Sequence, residues 1–266
     1  MLALPGADRA PRGRAGRARR LLQGPLGRVA LTLHAALGPL DAAPADVAIV
    51  VDCIRATTTL SHALAAGYRE VVCVGEVDDA HAERADGVVL GGERHGVLIE
   101  GFDLGNSPAE YATPRGEVLV LTTTNGTRAI LQSAAEAETV LVGALVNAAT
   151  LVDRALAALP ADGTLAVRCA GVRGDVALDD VYVAGVLLAR AAARLDGAFA
   201  TDAARVAMAV ARAYPDAQAA LDDSQSRRDL DGTGHEADVT RCAALDVLVV
   251  APCVASAGPG RVVVTA

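Results

Sequence analysis

Val47-Ala48-Ile49-Val50-Val51, then Asp52-Cys53-Ile54-Arg55, then Thr57-Thr58-Thr59-Leu60 running on to Ala66-Gly67, is the stretch that decides the fold. An unbroken apolar run of this length reads as a strand buried on both faces, because a half-buried strand alternates. A carboxylate closes the strand. Hydroxyl side chains then open a helix from Thr57 to Ala66, which Gly67 ends.

The same unit recurs outward from this point. Val29 to Leu33 reads as an earlier strand, Glu70 to Val74 as the next, and Asp78 to Arg84 as a short helix. Strands follow at Val88 to Leu90, Val118 to Leu121 and Thr139 to Val142, with a helix over Thr127 to Ala135 between the last two. A helix at Ala148 to Ala158, a strand at Leu165 to Cys169 and a helix at Leu178 to Ala193 continue the series. Such alternation predicts an α/β three-layer sandwich, a largely parallel sheet covered by helices on both faces, with ligands at the carboxyl ends of the strands. Residues 197–222 are Ala-rich and read as helical, Ser224 to Glu236 as a polar loop, and Val247 to Val250 with Val262 to Val264 as closing strands. With no repeat and no linker, residues 25–266 are expected to form a single α/β domain. Residues 1–24, with Arg9, Arg12, Arg14, Arg17, Arg19 and Arg20, read as a disordered extension. The Arg19-Arg20-Leu21-Leu22 start of a twin-arginine export signal is broken by Gly24, Pro25 and Arg28.

Composition narrows the function classes. The 52% hydrophobic content comes mostly from Ala and Val, with no Trp and two Phe, so small branched side chains must fill the core. Net charge is -8, and beyond the N-terminus no basic stretch with interleaved aromatics would track a nucleic acid. No apolar run reaches the roughly 18 residues of a membrane span. Cys53, Cys73, Cys169, Cys242 and Cys253 are odd in number and widely spaced, which reads as reduced thiols in a cytoplasmic protein. All 24 of the Lys and Arg residues are Arg. That excludes P-loop NTPases, kinases and Schiff-base enzymes, which need an ammonium at the reacting centre.

Four segments carry chemistry. At Asp52 to Thr59, a carboxylate, Arg55 and the hydroxyls of Thr57 and Thr58 meet at a helix start, suited to an anion, with Asp52 placed to hold a metal or attack phosphorus. The alternative is that the Thr residues cap the helix and Asp52 pairs with Arg55. Gly91-Gly92-Glu93-Arg94-His95-Gly96 and Gly101-Phe102-Asp103-Leu104-Gly105-Asn106-Ser107-Pro108 combine sharp turns with both signs of charge. Asn106 to Pro108 reads equally as a turn and helix cap. Thr122-Thr123-Thr124-Asn125-Gly126-Thr127-Arg128 is a second anion cradle at a helix start. Cys169-Ala170-Gly171-Val172-Arg173-Gly174-Asp175, followed by Asp179-Asp180, offers paired acids as oxygen ligands for magnesium.

Together these segments resemble the 2-phosphosulfolactate phosphatase family. Its pattern includes Asp-x-x-Arg-Ala-Thr-Thr, Gly-Gly-Glu-Arg, Gly-Phe-Asp-Leu-Gly-Asn-Ser-Pro and Thr-Thr-Asn-Gly-Thr-Arg, matched here at Asp52 to Thr59, Gly91 to Arg94, Gly101 to Pro108 and Thr123 to Arg128. Asn147 and Cys169 to Gly171 follow in order, and the resemblance runs over roughly residues 28 to 254. It implies Mg2+-dependent hydrolysis of 2-phosphosulfolactate to sulfolactate and phosphate, a step of coenzyme M synthesis. On that reading Asp52, Glu93 and Asp179 or Asp180 hold magnesium, Arg55 and Arg128 clamp the anion, and Asp103 is the general acid or base. Thr57, Thr58, Arg94, Thr124, Asn125 and Gly126 complete the site. The partner is a small phosphorylated and sulfonated acid, with no nucleic acid and no membrane, and a homodimer is compatible with it. Asp179 stands where the family pattern has Glu, and His95 and the extended N-terminus also depart from it.

Other phosphatase chemistries fit less well. A haloacid-dehalogenase site needs a second Asp where Ile54 stands, and a Lys; a cysteine phosphatase needs Arg where Thr59 follows Cys53. Arg94-His95-Gly96 spells a histidine-phosphatase turn, but several elements precede it where that turn ordinarily follows the first strand. A non-catalytic sensor of such a metabolite is the alternative outside enzymology.

Overall fold

The computed structural model describes residues 31–266. The reading of residues 1–24 and the start of the Val29 to Leu33 strand lie outside the described residues. Eleven strands form one sheet: β1 (Thr32–Ala36), β2 (Ala45–Val51), β3 (Glu70–Val74), β4 (Val88–Arg94), β5 (Val97–Leu98), β6 (Val118–Thr122), β7 (Ala137–Val142), β8 (Thr164–Cys169), β9 (Phe199–Ala200), β10 (Cys253–Gly258) and β11 (Arg261–Thr265). The helices are α1 (Ala56–Ala66), α2 (Val77–Ala82), α3 (Gly126–Glu136), α4 (Ala148–Ala158), α5 (Leu178–Ala192), α6 (Asp202–Ala213), α7 (Ala217–Asp222), α8 (Gln225–Arg228) and α9 (Asp238–Ala243). The architecture is the expected three-layer α/β sandwich.

β2 shows why an unbroken apolar run becomes a central strand. Side chains alternate across a sheet, so Val47, Ile49 and Val51 join the core under α4 and α5, while Ala48 and Val50 join the opposite core with Leu60 of α1 and Ile130 of α3. All five residues are buried, and polar side chains at either set would face apolar neighbours.

Strand order is β5-β4-β6-β3-β11-β10-β7-β2-β8-β1-β9. Within it β4, β6 and β3 form one parallel block, and β7, β2, β8, β1 and β9 form another. The β10–β11 hairpin joins them through antiparallel pairings only, meeting β3 on one side and β7 on the other. Because the successive steps β3 to β11, β11 to β10 and β10 to β7 are all antiparallel, the two blocks run in opposite senses. The join is slender, since β10 meets β7 at the single register pair Cys253–Leu141 and has a register shift between Val254 and Ser256.

The chain crosses between blocks twice in strand–turn–helix steps, from β2 through α1 to β3 and from β6 through α3 to β7. Both crossings latch the same way. Thr57 Oγ1 accepts from the Asp52 N–H at 3.0 Å and donates to the Asp52 carbonyl at 2.9 Å. Thr127 Oγ1 likewise accepts from Thr123 N–H and donates to its carbonyl, both at 3.1 Å. At their meeting point Gly126 is so close to the β2 turn that a Cβ would lie 2.5 Å from Ala56 Cβ and 2.7 Å from Asp52 Oδ2.

Three sequence readings are corrected. Val247 to Val250 is not a strand; it runs beside the Leu145–Asn147 turn, with Leu248 N–H bonded to the Val146 carbonyl, and the closing hairpin begins at Cys253. Ser224 to Glu236 is not simply a loop, since Ser224 caps α8 by accepting from Arg227 N–H at 3.0 Å. Residues 197–222 contain the two-residue strand β9 as well as helices α6 and α7.

A core of small residues lets helices approach closely. α5 and α6 touch where Gly185 faces the Ala207 carbonyl, and a Cβ on Gly185 would lie 2.0 Å from that oxygen. Gly185→Ala must push the helices apart. Its expected cost is about 1–3 kcal/mol, the range for overpacking, measured as the shift in urea or thermal unfolding against the parent chain.

Candidate active site

The carboxyl ends of β2 and β8 from one block and of β4 and β6 from the other line one cavity of about 480 Å³. Its walls include Asp52, Arg55, Glu93, His95, Asn106, Thr124, Asn125, Arg173, Asp180, Ser226 and Asp229.

Asp52 follows the last residue of β2. Its Oδ1 accepts the Ala56 N–H at 3.2 Å, and the residue is buried. Burial pushes its carboxyl up to about 7, with Asp179 and Glu93 adding repulsion against the pull of the Ala56 N–H and Arg55. Asp180, at the start of α5, accepts Cys53 N–H at 2.8 Å and Gly171 N–H at 2.9 Å, tying the turns after β2 and β8 together. Burial, then Asp179 and Asp52, hold its carboxyl well above the usual range. Asp179 accepts from Ser226 Oγ at 2.8 Å and Ile54 N–H at 3.2 Å, and burial raises its carboxyl to about 6. It is buried beside the cavity and is absent from its wall.

Glu93 ends β4 and bridges to the α3 turn. Its Oε1 accepts Thr124 N–H at 2.8 Å; its Oε2 accepts Gly96 N–H at 2.7 Å and Thr124 Oγ1 at 3.1 Å. Thr124 and Asn125 open the N-terminus of α3 onto the cavity, an anion-seeking end.

Arg55 does not pair with Asp52 in a hydrogen bond. Its Nη1 donates to Asp238 Oδ2 at 2.8 Å, with both side chains almost wholly buried, and Asp238 Oδ1 accepts from Ser107 Oγ at 2.7 Å. Arg55 also lines the cavity, so its remaining N–H groups serve the same wall. The neighbouring Asn106 is buried, and its Oδ1 has no hydrogen-bond partner among the described residues.

Several predicted site residues lie elsewhere. Thr57 and Thr58 are fully buried and spend their hydroxyls on the backbone of Asp52 and Cys53, which latches the turn; they do not cap the helix, and Asp52 does not pair with Arg55. Arg94 donates to the carbonyls of Glu93 and Gly75 and to Thr122 Oγ1, bracing strand ends outside the cavity wall. Asp103 is exposed, accepts Leu90 N–H at 2.8 Å and faces Arg84 at 3.5 Å. Arg128 is exposed and pairs with Glu76 at 3.5 Å. Neither belongs to the cavity wall, because a strand turn and a helical turn carry them past it. Gly126 sits behind Asp52 as a packing position.

Sequence reasoning missed Asn106, Arg173, Ser226, Asp229 and Asp238 as cavity or support residues. Arg173 had a local signal, an Arg-Gly pair in a turn after a strand. Asp238 had none, since 183 residues separate it from Arg55.

Among the described residues no three His, Cys, Asp or Glu side chains form a ready metal cage. Magnesium needs none, because it keeps much of its water and takes one or two carboxylates plus phosphate oxygens. Acids that burial raises, with neighbouring carboxylates adding repulsion at Asp52 and Asp180, fit a hard cation.

Two outcomes follow from this charge arrangement. Asp238→Ala strands the buried Arg55 guanidinium and should cost about 3–5 kcal/mol, read from urea unfolding. For Asp52, a folded-state carboxyl near 7 against 3.8 unfolded means that stability is fully present below about 3.8 and lost as pH rises through 7. In metal-free buffer Asp52→Asn should therefore raise stability at pH 8 by about 1–3 kcal/mol, a gain that vanishes toward pH 4. A constant difference across that window would contradict the assignment.

Comparison with known proteins places the chain in a family. Residues 34–257 match the family model described as 2-phosphosulpholactate phosphatase. A Thermus thermophilus protein named probable 2-phosphosulfolactate phosphatase is 44% identical over 200 residues, spanning 74% of this chain and 83% of its own length. Proteins of the same printed name from Deinococcus radiodurans and Symbiobacterium thermophilum are 41% and 38% identical over 208 and 221 residues. The first spans 75% of this chain and 84% of itself, the second 80% and 93%. On a match that covers most of its length, this chain belongs to the 2-phosphosulfolactate phosphatase family.

Proposed function

We propose that the chain is a magnesium-dependent phosphatase that hydrolyses 2-phosphosulfolactate to sulfolactate and phosphate. The observation that carries this reading is a single cavity in which buried acids, Asp52, Asp180 and Glu93, face the buried Arg55 and the N-terminus of α3. A phosphate dianion repels a nucleophile until its charge is offset. Arg55 offsets it from a wall where Asp238 fixes the guanidinium. Thr124 and Asn125 present the α3 dipole to the same oxygens, and Glu93 holds that turn in place through Thr124 N–H.

Asp52 and Asp180, with Glu93, are the residues proposed to hold magnesium. Bound there, the cation would polarise the phosphoryl group and cancel the crowded carboxylate charge. Asp52 stands against Gly126 at the start of α3, so a cation it held would lie beside the turn that meets the phosphate. Coenzyme M synthesis in the cytoplasm is the pathway proposed for the reaction.

Phosphate release from 2-phosphosulfolactate, assayed after chelation and again with magnesium restored, tests the reading. Release that chelation leaves unchanged would reject the metal, and no release from this ester would reject the substrate. Asp52→Asn should lower kcat by about 100-fold or more with the fold intact. Arg128→Ala, remote from the cavity, should leave KM and kcat within about twofold. His95→Ala tests the histidine-phosphatase alternative, since His95 does reach the wall; most activity should remain.

A further inference from the structure

The cavity wall carries two guanidinium groups, Arg55 and Arg173, at different depths. Side-chain exposure is 3% for Arg55 and 70% for Arg173. One therefore serves the floor beside Asp52 and the other the mouth.

Arg173 is held where its backbone is unfavourable. Val172 N–H and Asp175 N–H each donate to the other residue's carbonyl, at 3.0 and 2.9 Å, closing a two-residue turn over Arg173 and Gly174. Both central residues have positive φ, 55° at Arg173 and 85° at Gly174. Gly, Asn or Asp suits the first of these positions, and an Arg there is strained. The fold gains little in return, because the Arg173–Asp229 pair is exposed on the arginine side and such pairs stabilise weakly. The turn's root is nonetheless fixed to the reaction site, since Gly171 N–H donates to Asp180 at 2.9 Å.

Asp229 orients the arginine. Arg173 Nη2 donates to Asp229 Oδ1 at 2.7 Å, and Gln225 Nε2 steadies the same oxygen at 2.7 Å. One N–H is used in this way, which leaves the rest of the fork available at the mouth. Both arginines line the one cavity, Arg55 buried and Arg173 exposed, so a second acid on a phosphate ester bound there has a guanidinium of its own to meet.

We propose that Arg173 is a specificity residue that receives a second acidic group, sulfonate or carboxylate, of the substrate, with Asp229 as its positioning residue. This rests on the phosphatase reading above and names the residue that meets the acid the substrate carries besides its phosphate. Phosphate charge is met on the floor, so loss of Arg173 affects recognition of the second acid and spares the phosphoryl group.

Binding and turnover of the full chain, wild type and Arg173→Ala, in magnesium buffer provide the test. By calorimetry, Arg173→Ala should weaken sulfolactate at least 10-fold and leave inorganic phosphate within twofold. In turnover, kcat/KM for 2-phosphosulfolactate should fall at least 10-fold, chiefly through KM, while ethyl phosphate, which has no second acid, is unchanged. 2-Phospholactate and the phosphate ester of 2-hydroxyethanesulfonate separate carboxylate from sulfonate, whichever loses its advantage being the group bound. Arg173→Lys should restore part of the affinity. Equal losses for ethyl phosphate and 2-phosphosulfolactate, or no loss for either, overturn the proposal. So does a wild type that binds phosphate but not sulfolactate. Sulfolactate binding that depends on Arg173 in a protein that hydrolyses no ester would keep the recognition site and reject the phosphatase reading instead.

Discussion

The carboxylate of Asp180 is the tie on which the site depends. One oxygen takes the Cys53 N–H and the other the Gly171 N–H, so the turns after β2 and β8 are fixed by one side chain from the start of α5. The anchor is itself an electrostatic liability. Asp179 and Asp52 lie close enough to raise it, and all three are buried. Backbone N–H groups compensate in part, since each of the three accepts at least one. Three buried acids this close together cost stability, and such perturbed groups gather at functional sites more often than in ordinary cores.

Topology then decides which residues share the cavity. The turns after β2 and β6 meet at the cavity although the two blocks run in opposite senses and the β10–β11 hairpin stands between them, close enough that Gly126 admits no side chain beside Asp52. The C-terminal hairpin is thus part of the site's scaffold although none of its residues lines the cavity. α1 and α3 each start at the cavity and end against the strand that follows in the other block, which makes each crossing both a connection and a wall.

How far this was legible in the sequence follows the range of the interactions. The apolar runs and helix starts showed the layers, because burial on both faces of β2 leaves a local pattern. Asp52, Glu93, Thr124 and Asn125 were legible as cavity residues because strand ends with charge or hydroxyls mark them, and Asp180 because paired acids open a helix. Direction was not legible. Asp103 and Arg128 look as suitable as their neighbours on the page, yet a single residue of strand phase or a third of a helical turn points them to Leu90 and Glu76. Thr57 and Thr58 failed for another reason, since a hydroxyl near an anion turn serves the backbone as readily as a ligand. Arg55's true partner was unreadable, as nothing local ties Asp238 to it.

That long-range pairing also explains why a chain without lysine suits such a cavity. An ammonium held by Asp238 would have its point charge spent on that carboxylate, whereas a guanidinium gives one N–H to the partner and keeps others in a fixed plane for an anion. Arg94 uses the same property structurally, serving three acceptors around the ends of β4 and β6 and the turn after β3. The two cavity arginines differ from Arg94 in that each is aimed by a carboxylate near α8 or α9, Asp229 just after α8 for Arg173 and Asp238 at the start of α9 for Arg55. Ser226 of α8 bonds Asp179. The segment from Ser224 to Glu236, which reads as a polar loop, therefore orients Arg173 and braces an acid beside the cavity, and the helix just beyond it orients Arg55. The sheet cores draw only Leu230 from residues 225–238, so this stretch serves the cavity wall more than the core, except at the buried Asp238, on which the Arg55 charge depends.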